Sequence, residues 1–256
     1  MSMFEKSGVE VDEDYRRSHL ARGGSYDATL AAAPFDAYMA RLESRHLRVI
    51  VPALFPSVPP RYIDFACGTG RITEVVAPLC GEAVGVDLSA DMLQQARRKC
   101  PTVRFVQADL TQTEADLGSF DLATAFRFFG NAQHGLRMAA LKALHRLLRP
   151  GGYLVINSHR NPLAVSALLH AATGGGTGGM DLNYFKLRSM LRRSGFEVKR
   201  VIPIGVWMCR SKLLGMEHSP ARTERMEHRF RFPALAALAP DVVVVARKVS
   251  ATAPIG

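Results

Sequence analysis

Residues 34–51 carry apolar side chains at helical spacing and predict a helix that ends before Pro52. Pro56, Pro59 and Pro60 then make an extended link. From there short apolar runs alternate with amphipathic ones. Strands are predicted over 62–65, over 83–86 ending at Asp87, and over 103–107, 121–126 and 153–158. Helices are predicted over 71–80, over 89–99 with Ser89 as N-cap, and over 135–148, stopped by Pro150 and Gly151. Beyond residue 160 the pattern loosens. A helix over 163–172, a second over 181–194 with Asp181 as candidate cap, and strands over 196–204 and 241–247 remain readable. The run Gly174, Gly175, Gly176, Thr177, Gly178, Gly179 reads as a flexible loop, because no strand leads into it as a phosphate-binding turn requires. Residues 206–239 form a longer connection rich in Arg and Met. The alternation predicts an α/β fold: a doubly wound, mostly parallel seven-stranded sheet with helices on both faces and a small helical cap.

Composition narrows this picture without redirecting it. A chain of 256 residues is long enough for one sizeable core, or one domain carrying a cap. With 48% hydrophobic and 22% charged residues, disorder of the whole chain is excluded. The longest apolar stretch, 233–246, is broken by Pro240 and Asp241 and is too short to cross a bilayer, so no membrane span is expected. The first 17 residues are rich in charge and lack the apolar core of a secretory signal. Cys67, Cys80, Cys100 and Cys209 form no CxxC pair; they read as thiols of a reducing cytoplasm, and no metal site is expected. The net charge of +10 attracts anions, yet the basic residues are spread along the chain, with modest clusters at Arg192–Arg193 and Arg222–Arg231. That spread favours an ordinary charged surface over a nucleic-acid interface.

The candidate chemistry lies in Tyr62-Ile63-Asp64-Phe65-Ala66-Cys67-Gly68-Thr69-Gly70-Arg71, where a strand runs through a turn of small residues into a helix. Small residues let a ligand approach the backbone, and the helix start offers N–H groups. Asp87, ending the next strand, can accept both hydroxyls of a ribose. Asp109, after the third strand, can accept a hydrogen bond from an adenine amino group. Three acids at the C-terminal ends of successive strands stand where open α/β sheets bind ligands. A dinucleotide site asks for a third glycine, and Thr73 stands there instead. Asp64 before the turn repels phosphate and suits an ammonium. A ligand with adenine, ribose and an ammonium but no phosphate fits, and S-adenosylmethionine is such a ligand.

On these residues the chain resembles the class I S-adenosylmethionine-dependent methyltransferases, of the Rossmann-like, small-molecule type. Asp64-Phe65-Ala66-Cys67-Gly68-Thr69-Gly70 resembles the family's acidic, glycine-rich first motif. Val84-Gly85-Val86-Asp87-Leu88-Ser89 resembles its second, Gln107-Ala108-Asp109-Leu110 its third, and Phe120-Asp121-Leu122-Ala123-Thr124-Ala125-Phe126 its fourth. Ala66 departs from the family's usual glycine. The resemblance is close over about residues 60–160 and only in outline over 190–250. It implies one such domain over 26–250, with cap elements at 26–55, 160–190 and 206–239, a mobile leader over 1–25 and a tail over 251–256. It also implies that Asp64, Ala66, Gly68 and Gly70 cradle the methionine part of the cofactor and that Asp87 holds the ribose. Leu88 and Met92 pack on the adenine, Asp109 and Leu110 edge it, and Phe126 and Arg127 face cofactor and substrate. Tyr26 resembles the N-terminal lid tyrosine of many small-molecule methyltransferases; an ordinary surface tyrosine is the competing reading.

Methyl transfer is an in-line displacement whose leaving group is neutral, so positioning supplies most of the rate. A general base helps a hydroxyl acceptor. His134, His159, Arg127 and Asn131 are the catalytic candidates by position, after the fourth and fifth strands. For each histidine a structural role competes, as a helix-start or loop residue. Arg127 either binds an anionic group or pairs with a nearby acid. No Asn-Pro-Pro-Tyr run or Pro-Cys pair follows the fourth strand, which argues against DNA-methylating chemistry. The expectation is a cytoplasmic methyltransferase, monomer or homodimer, that acts on an O or N of a small molecule in biosynthesis or natural-product or sugar tailoring. The alternatives are an RNA or protein methyltransferase and a non-catalytic, methyltransferase-like binding subunit.

Overall fold

Consecutive residues of a strand face opposite ways, so a strand covered on both sides is apolar nearly throughout. The strands here assemble into one seven-stranded sheet: β1 Arg61–Phe65, β2 Glu82–Asp87, β3 Arg104–Gln107, β4 Phe120–Ala125, β5 Leu148–His159, β6 Phe196–Ile204 and β7 Asp241–Lys248. The central strands show that pattern, and the edge strands β3 and β6 are more polar and partly exposed. The structure is a computed structural model, and it describes residues 32, 34–58, 60–113, 115–159, 161–172, 181–206 and 232–249. The strand order is β3-β2-β1-β4-β5-β7-β6. β1 to β5 pair in parallel, whereas β7 runs antiparallel to both β5 and β6. The expected doubly wound, mostly parallel sheet is therefore borne out. One consequence matters for the site. Because β7 is reversed, its first residue, Asp241, pairs with His159, the last of β5, at the edge where the parallel strands end.

Each face carries its own core. On one face Tyr62, Leu122, Val155 and Val243 pack with Tyr38, Leu42, Ile50 and Val51 of α1 Pro34–Leu54 and with Ile72 and Val76 of α2 Arg71–Val76. Their chain neighbours Ile63, Ala123, Leu154 and Val244 point the other way. They meet Leu141 and Leu144 of α4 His134–Leu147 and Leu187 and Leu191 of α6 Tyr184–Arg193. Helix α3 Ala90–Lys99 packs on β2 and β3, and α5 Val165–Ala172 follows β5. Among the described residues no helix is long and apolar enough to cross a membrane.

Several predicted boundaries shift for local reasons. α1 runs through Pro52 to Leu54, because a proline in the last turn forfeits one hydrogen bond without ending the helix. The second predicted helix closes early: α2 ends at Val76 and Ala77–Leu79 tightens into a 3-10 turn around Pro78. Pro150 and Gly151 do not separate helix from strand. β5 begins at Leu148, and the pairing with β4 shifts between Phe120 and Leu122, so the extra residues form an irregularity within the strand. Asp181 is not a cap: Asn183 accepts the Lys186 N–H at 2.9 Å, while Asp181 forms two contacts, at 2.6 and 2.9 Å, with the buried guanidinium of Arg137. The residues expected at 1–25 and 251–256, the glycine run at 174–179, and most of 206–239 lie outside the described residues.

Candidate active site

The turn after β1 is held by its neighbour strand. Cys67 N–H donates to Val86 O at 3.0 Å, and Gly68 N–H donates to Asp87 Oδ2 at 2.8 Å. The other oxygen of Asp87 accepts the Ser89 N–H at 2.9 Å, and Ser89 Oγ accepts from Met92 N–H to cap α3. Asp87 thus fixes two loops and is itself fixed by them. The turn is left-handed at Ala66 (φ 53), Gly68 (φ 55) and Gly70 (φ 77). At Gly70 a Cβ would stand 3.0 Å from Ala96 Cβ, so glycine lets α2 start against α3. At Gly68 a Cβ would meet nothing within 4 Å: the turn leaves open space there. Ala66 carries a side chain in a conformation that costs an L-residue ~1 kcal/mol.

Asp64 is buried inside β1 and accepts from the hydroxyls of Thr73 at 2.6 Å and Thr124 at 2.7 Å. Since Thr124 gives its proton to Asp64, the Tyr62 hydroxyl, 2.6 Å away, donates to Thr124. Burial pushes the Asp64 carboxyl up to about 6, while the two threonine hydrogen bonds oppose the shift. Asp109 accepts from Thr111 N–H at 2.9 Å and from the Thr111 hydroxyl.

One cavity gathers most of the predicted residues. Asp64, Ala66, Gly68 and Asp87 line it from β1 and β2; Leu88, Met92, Asp109 and Leu110 line it from the loops beyond β2 and β3. Phe126 and Arg127 line it from the β4 side. Gly70 frames the turn without lining the cavity. His134 and His159 are not among the lining residues. His134 is exposed as the first residue of α4, the structural role weighed against its catalytic one. His159 turns its Nε2 to Asn131 Oδ1 at 3.2 Å, and Asn131 Nδ2 donates to Arg127 O at 2.7 Å. That orientation of the amide makes Nε2 the protonated nitrogen. Tyr26 lies outside the described residues.

Beside the cavity stands a buried polar network that motif reading missed. Arg127 adopts φ 57, and its N–H donates to Asn157 Oδ1 at 2.5 Å. Asn157 Nδ2 donates to Glu43 Oε1 at 2.7 Å and, at 3.4 Å, to Asp241 Oδ2. Glu43 pairs with Arg71 at 2.7 Å, and Arg127 pairs with Asp36 at 3.3 Å, the pairing with a nearby acid that is one of its two readings. Burial, with Glu43 close by, holds the Asp241 carboxyl well above the usual carboxylate range. The available sequence signal was weak: Asn157 and Asp241 are polar residues at the ends of apolar strands, and Arg71 follows the glycine turn directly.

Known proteins share part of this sequence and this fold. Residues 63–152 match the sequence model of a family described as "Methyltransferase domain". The chain is 32% identical over 119 residues to a demethylmenaquinone methyltransferase of Paenarthrobacter aurescens (strain TC1), covering 46% of each protein. It is 32% identical over 131 residues to a trans-aconitate 2-methyltransferase of Rhodopseudomonas palustris (strain BisA53), covering 49% of each. The chain thus spans about half the length of the curated relatives it matches. The crystal structure of magnesium protoporphyrin IX methyltransferase from Synechocystis PCC 6803, with bound S-adenosylhomocysteine, superposes with a TM-score of 0.65 at 14% identity. That superposition covers 92% of this chain and 99% of that one. Residues 63–152 thus match a methyltransferase-domain model, and the fold over most of the chain is shared with a solved methyltransferase.

Proposed function

We propose that this protein transfers a methyl group from S-adenosylmethionine to an oxygen or nitrogen of a small-molecule acceptor, in biosynthesis or tailoring. The observation that carries this reading is Asp87: both its oxygens are fixed by backbone N–H groups, at 2.8 and 2.9 Å, on the rim of a cavity that the Gly68 turn leaves open. A carboxylate held this way is already oriented for a ribose diol and loses little entropy on binding it. Asp109 suits the adenine amino group, with Leu88, Met92 and Leu110 packing on the ring. Asp64, Ala66, Gly68 and Gly70 form the methionine end, where Asp64 contributes negative charge opposite a cation. The cofactor, when bound, supplies an electrophilic methyl on a sulfonium whose departure needs no acid. The protein's part is to align the acceptor beside Phe126 and Arg127 and to keep water out. Because neither His134 nor His159 lines the cavity, the geometry supports a transfer that relies on alignment rather than on either of these two histidines as base. Both curated relatives carry small-molecule names, which supports a small acceptor. The free thiols of Cys67, Cys80 and Cys100 suit a cytoplasmic setting.

The test is incubation with methyl-labelled S-adenosylmethionine and a fractionated cell extract. Label should enter the small-molecule fraction and be lost with Asp87→Ala. Label entering RNA or protein would select the macromolecular alternative, and binding without any transfer would select the non-catalytic one.

A further inference from the structure

The charges lining the cavity change sign across the sheet. Asp109 after β3, Asp87 on β2 and Asp64 on β1 occupy one part; Arg71 at the start of α2 and Arg127 after β4 occupy the other. The two arginines differ in their partners. Arg71 lies 2.7 Å from Glu43, whose side chain is fully buried, so the pair is locked into the fold. Arg127 pairs through Nη1 with Asp36 at 3.3 Å, and Asp36 is 35% exposed in the first turn of α1. The backbone of Arg127, by contrast, is rigid: its N–H is bonded to Asn157, its carbonyl to Asn131, and its φ is 57. A guanidinium on a fixed backbone, lining the cavity and paired to a half-exposed carboxylate, is built to exchange that carboxylate for another.

We propose that the methyl acceptor carries a carboxylate, and that Arg127 receives it in place of Asp36. This rests on the methyl-transfer reading of the cavity. A bidentate guanidinium–carboxylate pair, with contacts of ~2.7–2.9 Å, is stronger and more directional than the pair at 3.3 Å that it replaces. The exchange swaps one carboxylate for another at Nη1 of Arg127. Asp36, once released, moves into water at a helix N-terminus, where the helix dipole favours a negative charge. A neutral acceptor has nothing to offer Arg127 that Asp36 does not already supply. Asn157 is a positioning residue here: it acts through the Arg127 backbone.

Calorimetry on the full chain saturated with S-adenosylhomocysteine tests this with benzoate, succinate, benzamide and phenyl phosphate as probes. A carboxylate should bind and benzamide should not. Asp36→Ala should tighten carboxylate binding about threefold by removing the competitor. Arg127→Gln should weaken it at least ~10-fold, with Arg127→Lys in between and circular dichroism showing each variant folded. The proposal is overturned if no carboxylate binds, if benzamide or phenyl phosphate binds as well as benzoate, or if the variants leave carboxylate affinity unchanged. Each of those results leaves the methyl-transfer reading standing. Failure of S-adenosylhomocysteine itself to bind is a separate result, and it removes both.

Discussion

The two parts of the cavity are held by different kinds of contact. At the rim acids Asp87 and Asp109 the fixing bonds span few positions: Asp87 bonds to residues 19 and 2 positions away, and Asp109 to the residue 2 positions on, while the buried Asp64 beneath them reaches Thr124 across 60. Around Arg127 they span the chain. Asn157 reaches Arg127 across 30 positions, Asp241 across 84 and Glu43 across 114. The aspartate loops need little more than their own strands and turns, and they sit at the water-facing rim. The Asn157 network exists only when α1, β4, β5 and β7 have all come together, and it is buried, where an orphaned charge is expensive. Damage to the first region should appear in ligand affinity. Damage to the second should appear in stability.

The strongest challenge to that contrast is Asp87→Ala. Calorimetry should show S-adenosylhomocysteine affinity falling roughly 100-fold, because the ribose contact and the anchor of the Gly68 turn go together. Unchanged affinity removes the ribose assignment. Next is Asn157→Leu, which leaves Glu43 and the Arg127 N–H buried without their partner. Urea denaturation should show a loss of about 3 kcal/mol; a loss below 1 kcal/mol would mean that the network relaxes or takes up water.

The third prediction concerns pH. The Asp64 carboxyl is raised to about 6, above its unfolded value of 3.8. The folded protein therefore holds a proton that the unfolded chain releases, and stability from this group falls as pH rises from about 4 through 6, then levels off. A cationic cofactor favours the ionised form, so affinity should drop about tenfold from pH 7 to pH 5. Asp64→Asn should flatten that part of the profile, and a profile unchanged by the substitution assigns the pH effect to another group. The smallest effect belongs to Ala66→Gly. Relief of a left-handed alanine should stabilise the fold by about 1 kcal/mol in thermal unfolding, partly offset by the greater freedom of glycine in the unfolded chain.

The same division governs what could be read from residues alone. The glycine turn, the capping Ser89 and the acids at Asp87 and Asp109 announce themselves because their partners lie on the same or the adjoining strand–turn unit. The open cavity at Gly68 follows from that turn. Glu43 gave no such signal, since it looks like any polar position on an amphipathic helix until β5 brings Asn157 against it. Asp241 looked like the first residue of a strand. Only the antiparallel seat of β7 between β5 and β6 sets it beside His159 at the ligand-binding edge. The boundary errors are of the same kind. Asp181 had the composition of a cap but found Arg137, 44 positions away, a better partner than the helix behind it.

The account's central claim is that the acidic rim binds a nucleoside bearing a cation and no phosphate. Titration of the full chain with S-adenosylhomocysteine and, in parallel, with a nicotinamide dinucleotide tests it most directly. The expected result is one saturable site per chain for S-adenosylhomocysteine and none for the dinucleotide; binding of the dinucleotide alone would contradict the account.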